Sequence, residues 1–597
     1  MSARNVALLL ASTAMIGIAP AATAYAGDNH SGLQTSQSPM ITVVAPARPT
    51  KPIMTVGETL RRYRFESIPD GISLRSRGRG RLDLYVNHET STVPFPFNPP
   101  FGGAPPTEAN QNDFDNGQLS QLVVSQHSAG VLSASYAIRS AENFQRFCSN
   151  FLATARQGFD RPILFTNEEA QDWVFRNGVA WPGPSFITPG TAGAEQLGVT
   201  VAYDVRGGKS RTIYGMGRLN HENTVALPGY DELVTLTTDD TFFTTPLAAP
   251  YKPAWSQLYS YMAPDTDAVL KDDGHLWAFV SDTPGYDDYF DFAPGDTTEI
   301  EGHFIRVPKP VATGKKANGS DLLSTDFPGM LPPPAVAGPP PDGPQWVLDQ
   351  WGNAENNADG ENVFRFVRLE DLAYDKRPGM SNVVYIADSG RATAGPPAPG
   401  VSTNGRIWKL ELDPDHPRQD AKLSILAEGD DNPVAATNPA LAFNEVHQPD
   451  NVETTANGSL LVTEDPSTNN TYAPPAGPGK TAARIWRIDL DAANPDGSKV
   501  TAAVLDQSAD EGPSDVDGSG AQAPPAVAPG RLGTWEAGGM TDASSVFGPG
   551  ALLVTVQAHS FWVEKADGPD RLAPPGKDYT FKREGGQLAL VYLDRSW

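Results

Sequence analysis

Six short apolar runs of this chain each end in acidic or amide side chains, and they recur roughly every 75 to 80 residues with one wider gap. The runs occupy residues 84–89, 163–169, 233–240, 384–389, 460–465 and 552–559. If equivalent runs surround one axis, their polar ends converge. Convergent carboxylates repel one another unless cations neutralise them. The spacing therefore predicts a metal site together with the fold that assembles it.

Pairs of acidic and amide residues stand just before or just after the predicted strands, and they are the first candidates for metal ligands. The pairs are Glu168 with Glu169, Glu222 with Asn223, Glu370 with Asp371, and Asp450 with Asn451. Hard cations such as Ca²⁺ take oxygen ligands of these types, about six to eight per ion. Cys148 is the only cysteine, and a thiolate ligand would select a softer, redox-capable metal such as iron. The residue types thus indicate calcium, and iron if Cys148 is a ligand.

Four of the 9 histidines lie beside the same acidic groups. They are His88, His221, His447 and His559. A histidine beside carboxylates serves as a ligand, as a proton shuttle or as a partner that orients a ligand, and a structural role is the common alternative. His559 ends an apolar run and is the strongest candidate of the four.

Each apolar run is rich in β-branched and aromatic residues, which predicts a buried strand. A second recurring phrase alternates apolar and polar residues, as a half-buried neighbouring strand does. It occurs at residues 257–261, 405–413, 483–491 and 586–594. Another strand of this kind is predicted at residues 275–282. Self-similarity at this period predicts an all-β fold, a six-bladed β-propeller, with five or seven blades left open. The C-terminal phrase is expected to pair with N-terminal strands and close the ring.

The segments outside the repeat are expected to be loops. Residues 283–345, 391–404 and 507–530 are rich in Pro, Gly or small acidic residues and predict insertions without regular secondary structure. We predict a disordered leader over residues 27–55. Over residues 56–597 we predict a single propeller domain with one or two short helices. One of these helices is predicted over 141–155, where it would place Cys148 near an acidic strand end.

The N-terminus is typical of an export signal. Arg4 precedes a short apolar stretch, and Ala24-Tyr25-Ala26 supplies the small-residue cleavage pattern. About 20 unbroken apolar residues are needed to span a bilayer, and no other stretch approaches that length. We therefore expect a signal peptide over 1–26 that is cleaved near Ala26, no membrane span, and a periplasmic or secreted protein.

The net charge of -26 narrows the range of partners. A field of that sign repels nucleic acid and anionic lipid, and it repels phosphorylated substrates unless bound cations reverse it locally. The chain has no Gly-x-Gly-x-x-Gly loop between a strand and a helix and no Gly-x-Ser-x-Gly elbow, so nucleotide cofactors and serine nucleophiles are disfavoured. Because a propeller hides its sheet edges, we expect a monomer.

Several of these motifs, taken in order, resemble the alkaline phosphatase PhoX family. The matching stretches are residues 84–90, Cys148 followed by 164–169, 220–222, 369–372, 449–451 with 458–465, and 484–487. The resemblance covers nearly the whole chain beyond the leader. It implies a periplasmic six-bladed propeller with iron and calcium ions on the central axis, which hydrolyses small phosphomonoesters.

The same resemblance implies a set of ligands. Cys148 matches the family cysteine, and the matching acids are Glu168 or Glu169, Glu222, Glu370, Asp450 and Glu464. Asp371, Asn451 and Asp465 adjoin these acids and complete the expected set. Position in the repeat adds further candidates near the axis, namely His88, Glu89, Asn223, Asp240, Glu536, Asp542 and His559.

Two other functions fit the same features. Calcium-dependent lactonases of the regucalcin and gluconolactonase type are also six-bladed propellers, and residues 449–451 with 458–462 resemble them locally. They need one divalent ion and no cysteine ligand, so metal binding by Cys148 separates the two enzyme classes. A third hypothesis is a non-catalytic interaction propeller whose acidic centre holds calcium for stability alone.

Overall fold

The computed structural model of the chain describes residues 32–66, 68–89, 119–176, 187–241, 250–251, 254–334, 341–390, 404–430, 445–465, 482–506, 535–564 and 579–594. The expected signal peptide at 1–26 and the expected insertion at 507–530 lie outside these residues. The same holds for 391–403, which is nearly all of another expected insertion.

Antiparallel strands form six four-stranded units, which we call blades 1 to 6. Before the first blade lie β1 Ile41–Val43, β2 Lys51–Thr55, β3 Thr59–Leu60 and β4 Tyr63–Arg64. Blade 1 contains β5 Pro69–Gly78, β6 Arg81–His88, β7 Leu119–Ser125 and β8 Val131–Ile138. Blade 2 contains β9 Phe147–Ala153 and β10 Ile163–Glu168, then the hairpin β11 Trp173–Val174 with β12 Glu195–Gln196, then β13 Thr200–Asp204 and β14 Lys209–Ile213.

The remaining blades follow the same order. Blade 3 contains β15 His221–Leu227, β16 Leu233–Asp239, β17 Ser256–Ala263 and β18 His275–Ser281, and it is followed by β19 Ile300–Arg306 and β20 Arg365–Phe366. Blade 4 contains β21 Leu369–Tyr374, β22 Val383–Asp388, β23 Arg406–Glu411 and β24 Ala421–Glu428. Blade 5 contains β25 Pro449–Thr454, β26 Ser459–Glu464, β27 Arg484–Asp489 and β28 Val500–Leu505. Blade 6 contains β29 Glu536–Asp542, β30 Ala551–Glu564 and β31 Tyr579–Tyr592.

The first strands of the blades form a closed ring. Strand β5 contacts β9, β9 contacts β15, β15 contacts β21, β21 contacts β25, β25 contacts β29, and β29 contacts β5. A ring of innermost strands with outer strands layered behind each is the architecture of a β-propeller. The six-bladed prediction is therefore confirmed, and each of the six apolar runs of the sequence is the second strand of a blade.

N-terminal strands close the ring, as predicted. Strand β2 pairs with β31 and completes blade 6, and β1 pairs with β28 as a fifth strand of blade 5. The prediction of a disordered leader over 27–55 is wrong for these two strands. Ile53 and Met54 are fully buried, because strand β2 covers the outer edge of blade 6. That edge is formed by β31, which lies near the other end of the chain. A short strand among Ser and Pro residues gives little local signal for such a pairing.

Ile53→Ala is expected to lower the free energy of unfolding by about 2–5 kcal/mol, because it leaves a cavity in a tightly packed interior. Ile53 belongs to the core between blades 6 and 1, together with Leu84 and Leu590. Val44→Ala is the matched control, since the Val44 side chain is 61% exposed next to the other N-terminal strand, and it should change stability by about 0.5 kcal/mol or less. Chemical denaturation measures both, and equal effects would contradict closure by β2.

The expected loop at 283–345 is instead partly regular. Strand β19 pairs with β18 and with β24, so it joins blades 3 and 4 into one continuous sheet. The described residues also contain short helices, namely α1 Thr266–Leu270, α2 Lys309–Thr313, α3 Pro344–Trp351 and α4 Ser544–Phe547. These helices are more than the one or two expected. Two of them have Pro in the first turn, at positions that we interpreted as loop. No helix in the described part of the chain is long and apolar enough to cross a membrane.

The helix predicted over 141–155 is wrong. A single 3-10 turn at Ser140–Glu142 is followed by strand β9, which begins at Phe147. Asn143 and Arg146 have φ values of 63° and 46°, a left-handed backbone that breaks a helix. Strand β9 instead forms an antiparallel pair with β10. This pairing overrides the local helical pattern. Cys148 thus lies on an innermost strand, next to the axis.

Candidate metal centre

Every first strand has the same irregularity close to its N-terminal end. In blade 1, Pro69 pairs with His88 and Ile72 pairs with Val86, so the first strand advances three residues while the second advances two. The other five blades show the same shift. Such β-bulges re-aim side chains and occur next to functional sites. The bulged residues, which we call the bulge ring, are Asp70, Cys148, Glu222, Glu370, Asp450 and Gly538.

A second set of residues lies on or just beyond the second strands, each directly after the residue that forms the last pair before the bulge. These residues, which we call the strand-end ring, are Glu89, Glu169, Asp240, Ser389, Asp465 and Gln557. Two successive sets of side chains from all six blades thus point toward one place. We refer to the two rings together as the axial site.

Cys148 lies where acids of both rings meet. Its Sγ lies 2.8 Å from Oδ2 of Asp70 and 3.3 Å from Oε1 of Glu89. Asp70, Cys148 and Glu222 offer ligand atoms that all lie within 4.8 Å of one another, and so do Glu89, Cys148 and Glu169. The sulfur therefore belongs to two candidate metal positions at once.

Arg368 places a positive charge among the acids of blades 3 and 4. Its Nε and Nη2 donate to the two carboxylate oxygens of Asp240 at 2.8 and 2.6 Å. Nη2 also lies 3.1 Å from Oε1 of Glu370, which accepts a further hydrogen bond from the Ser389 hydroxyl. Arg368 is only 5% exposed, so this bidentate ion pair is largely shielded from water.

Burial and mutual repulsion make the acids of the axial site hard to ionise. Burial and the carboxylates nearby raise the pKa of Glu169, Glu222 and Asp450 well above the usual range. Burial and the adjacent acids also raise the pKa of the Cys148 thiol well above its usual value. A bound cation reverses this balance, because it favours carboxylate and thiolate over their protonated forms.

The donor set suits hard cations together with a softer metal. Oxygen ligands from several blades can surround calcium, and a thiolate among them suits iron. Gly538, the sixth member of the bulge ring, also makes room for this set. A Cβ on Gly538 would lie 2.7 Å from Oδ1 of Asp70, and the backbone N–H of Gly539 donates to that same oxygen at 2.6 Å. Blade 6 thus holds the Asp70 carboxylate without supplying an acid at this position.

Gly538→Ala is expected to weaken iron binding by about tenfold or more, because the new methyl group pushes Asp70 out of the bulge ring and residues that orient ligands contribute factors of that size. Calorimetric titration of the metal-free protein measures the affinity. Gly497→Ala is the control, since its Cβ would meet only the exposed side chain of Asn494. Unchanged affinity in Gly538→Ala would show that Asp70 takes no part in binding.

Two predicted ligands face away from the axial site. The two carboxylate oxygens of Glu168 each accept a hydrogen bond from Arg176 at 2.5 Å. The carboxylate of Glu464 accepts from the Arg484 guanidinium and the Trp486 indole N–H. Side chains alternate along a strand, so the next residues, Glu169 and Asp465, point to the axis instead. We therefore do not propose Glu168 and Glu464 as ligands.

Further candidates have other surroundings. Asp371 accepts from Asn223 Nδ2 at 2.5 Å and from the Val452 backbone at 3.1 Å. Both Asp371 and Asn223 line an axial cavity of about 150 Å³, whose other lining residues include Lys376, Glu453 and Met540. They thus lie one layer beyond the bulge ring. Glu536 is close enough to Asp450 to raise its pKa, so it belongs near the site.

His88, His221, His447 and Asp542 have partners outside the axial site. His88 Nε2 lies 2.8 Å from the Ser120 hydroxyl, and Asp542 accepts from the Ser544 backbone at the far end of β29. Both ring nitrogens of His221 have partners, the Thr237 hydroxyl and the Gly217 carbonyl, and His447 Nδ1 lies 3.4 Å from Arg484 Nη2. Burial lowers the pKa of His221 to about 3 and that of His447 to about 4, so both are neutral. The side chain of His559 lies outside the described residues.

Sequence reasoning missed several residues of the site, among them Asp70, Ser149 and Arg368. Asp70 had a usable signal, since Pro69-Asp70 repeats the phrase Pro449-Asp450 at the start of another blade. Ser149 and Arg368 had none, because serine and arginine are common on any protein surface.

Comparison with known proteins gives a fold relationship. No family model matches the chain, and no curated protein matches it. Among solved structures, Pseudomonas fluorescens PhoX in complex with vanadate, a transition state analogue, matches with a TM-score of 0.56 and 14% identity over 94% of this chain and 98% of that chain. A Dyadobacter fermentans protein of unknown function gives a TM-score of 0.35 and 9% identity over 93% of this chain and 100% of the other. The likeness to PhoX supports a structural relationship and agrees with the β-propeller fold.

Proposed function

We propose that this protein is a metal-dependent phosphatase that hydrolyses phosphomonoesters at the axial site. The observation that carries the proposal is the position of Cys148, whose sulfur lies between Asp70 and Glu89 among buried acids of several blades. Support comes from the fold of PhoX, whose solved structure holds vanadate, a transition state analogue. A site that accommodates such an anion on a similar scaffold suits a phosphoryl group.

The ligand groups divide by chemistry. We assign iron to the two positions that share Cys148, with Asp70 and Glu222 on one side and Glu89 and Glu169 on the other. Calcium would be held by the acids outside these two groups, chiefly Glu370, Asp450 and Asp465. When bound, such cations supply the positive charge that offsets a phosphate and activates water for displacement at phosphorus.

The protein's own residues contribute orientation and charge. Arg368 carries a delocalised charge and several N–H donors, a combination suited to phosphate oxygens, and Asp240 fixes its plane through two hydrogen bonds. The Ser389 hydroxyl holds the Glu370 carboxylate in place. Because these groups are buried, they need little reorganisation when charge develops on the substrate.

The alternatives make different demands on the same residues. A lactonase of the calcium-dependent propeller type needs no thiolate, and a non-catalytic calcium propeller needs no arginine inside its acidic centre. The placement of Cys148 and Arg368 within the axial site favours the phosphatase over both. We also propose that the protein is exported after cleavage near Ala26 and acts as a monomer on small phosphorylated molecules.

One paired assay tests the function. The metal-loaded protein should hydrolyse p-nitrophenyl phosphate and leave a γ-lactone intact, and prolonged chelation should abolish the phosphatase activity. Refilling with iron and calcium should restore it. Lactone hydrolysis that calcium alone supports would favour the lactonase, and inactivity on both substrates with metal bound would favour the interaction propeller.

A further inference from the structure

Ser149 and Asn451 meet across the propeller axis. They follow Cys148 in blade 2 and Asp450 in blade 5, and these two blades are opposite each other in the ring of first strands. Each residue is only 2% exposed. The Ser149 Oγ lies 2.9 Å from Oδ1 of Asn451 and 2.8 Å from Oε1 of Glu222. The Asn451 Nδ2 lies 2.8 Å from Oδ2 of Asp450, so one hydrogen-bonded chain joins two acids of the bulge ring.

The Ser149 hydroxyl lies within hydrogen-bond distance of two oxygen atoms. A hydroxyl carries one proton, yet Ser149 faces a carboxylate oxygen of Glu222 and the amide oxygen of Asn451. The oxygen and nitrogen of an amide have nearly the same shape, so their assignment follows from the surrounding hydrogen bonds. If the Asn451 amide turns by half a rotation, its nitrogen donates to Ser149, and the Ser149 proton is available to the Glu222 carboxylate.

That rotation places two oxygens side by side. Oδ1 of Asn451 would then occupy the position now 2.8 Å from Oδ2 of Asp450. Two oxygens at this separation repel each other, but both can lie within the reach of one calcium ion, whose bonds to oxygen are about 2.3–2.6 Å long. The cost of the rotated amide is therefore offset when a cation is bound.

We infer that cation binding turns the Asn451 amide, so that its carbonyl oxygen joins Asp450 as a ligand while Ser149 locks the new orientation. Ser149 is then a positioning residue, because it holds Asn451 and Glu222 without contacting the ion. This inference rests on the proposed function, since it concerns the same metal site. It assigns Asn451 a role that depends on whether metal is present.

Calcium titration of the metal-free, full-length protein tests the chain of residues. Asn451→Ala should remove a ligand and weaken calcium binding, and Ser149→Ala should weaken it by about 10–100-fold, as expected for a group that orients a ligand. Ser149→Thr keeps the hydroxyl and should restore most of the affinity. Ser73→Ala is the control, because its hydroxyl donates to Asn150 and contacts no acid of the axial site. Wild-type affinity in both Asn451→Ala and Ser149→Ala would overturn the inference.

A crystal structure of the calcium-loaded wild type provides a second test that does not depend on the folding of a variant. A side-chain atom of Asn451 within about 2.6 Å of an ion must be oxygen, and this would support the rotation. Ions that leave Asn451 without contact would overturn it. Failure of the wild type to bind any calcium is a different result, because it would contradict the proposed function as well.

Discussion

Cys148→Ala is expected to lower the kcat for p-nitrophenyl phosphate by about 100-fold or more, the size of effect that follows loss of one preorganised stabilising group. The sulfur belongs to both candidate metal positions, so a single substitution weakens two ligand groups at once. Burial and the surrounding acids raise the pKa of the thiol, which means that a bound cation is needed to keep it a thiolate. Steady-state rates of the metal-loaded variants, together with their iron content, measure the effect.

Cys148→Ser distinguishes the role of the sulfur as a ligand from the role of the side chain in packing. A serine hydroxyl can still donate to Asp70, but it lacks the soft donor that selects iron over calcium. We expect Cys148→Ser to lose iron and to keep calcium, with activity close to that of Cys148→Ala. Wild-type kcat in either variant would show that the sulfur is not part of the reaction site.

Arg368→Met is expected to lower kcat by about 100–1000-fold and to lower the free energy of unfolding of the metal-free protein by about 3–5 kcal/mol. The substitution leaves the buried Asp240 and Glu370 carboxylates without their shared cation. The stability loss should shrink when metals are bound, because they neutralise the same acids. Activity assays and denaturation with and without chelator measure the two effects.

Arg161→Met is the matched control for that variant. Arg161 also pairs with acids, of which Asp160 and Asp267 are largely exposed and Asp204 is 22% exposed. Exposed pairs contribute about 1 kcal/mol or less. It should leave the activity unchanged. If Arg368→Met retains full activity, the arginine only balances charge and does not assist the substrate.

The strands that position the site were accessible to sequence reasoning because their signal is local. Each second strand is an apolar run with polar residues at its end, and its core-facing side chains, such as Leu84 and Leu460, are fully buried. Strand β19 and the N-terminal strands were not accessible in this way. They pair with segments far away in the chain, and no short window of sequence encodes the partner.

Most acids of the axial site lie within about one residue of a predicted acidic pair, and that margin decides which side chain faces the axis. Glu168 and Glu169 are neighbours on one strand, yet the first pairs with Arg176 and the second lies near Cys148. Strand alternation and the β-bulge fix which side chain reaches the axis. A bulge depends on register with the next strand, so the sequence identifies the acidic pair but not the member that faces the site.

Metal content of the wild type is the most direct test of the central claim. The full chain, purified without chelators and loaded with iron and calcium, should retain both metals after extensive dialysis when measured by inductively coupled plasma mass spectrometry. Iron should disappear in Cys148→Ala while calcium remains. A wild type that retains neither metal would contradict a metal centre on the propeller axis and the phosphatase proposed from it.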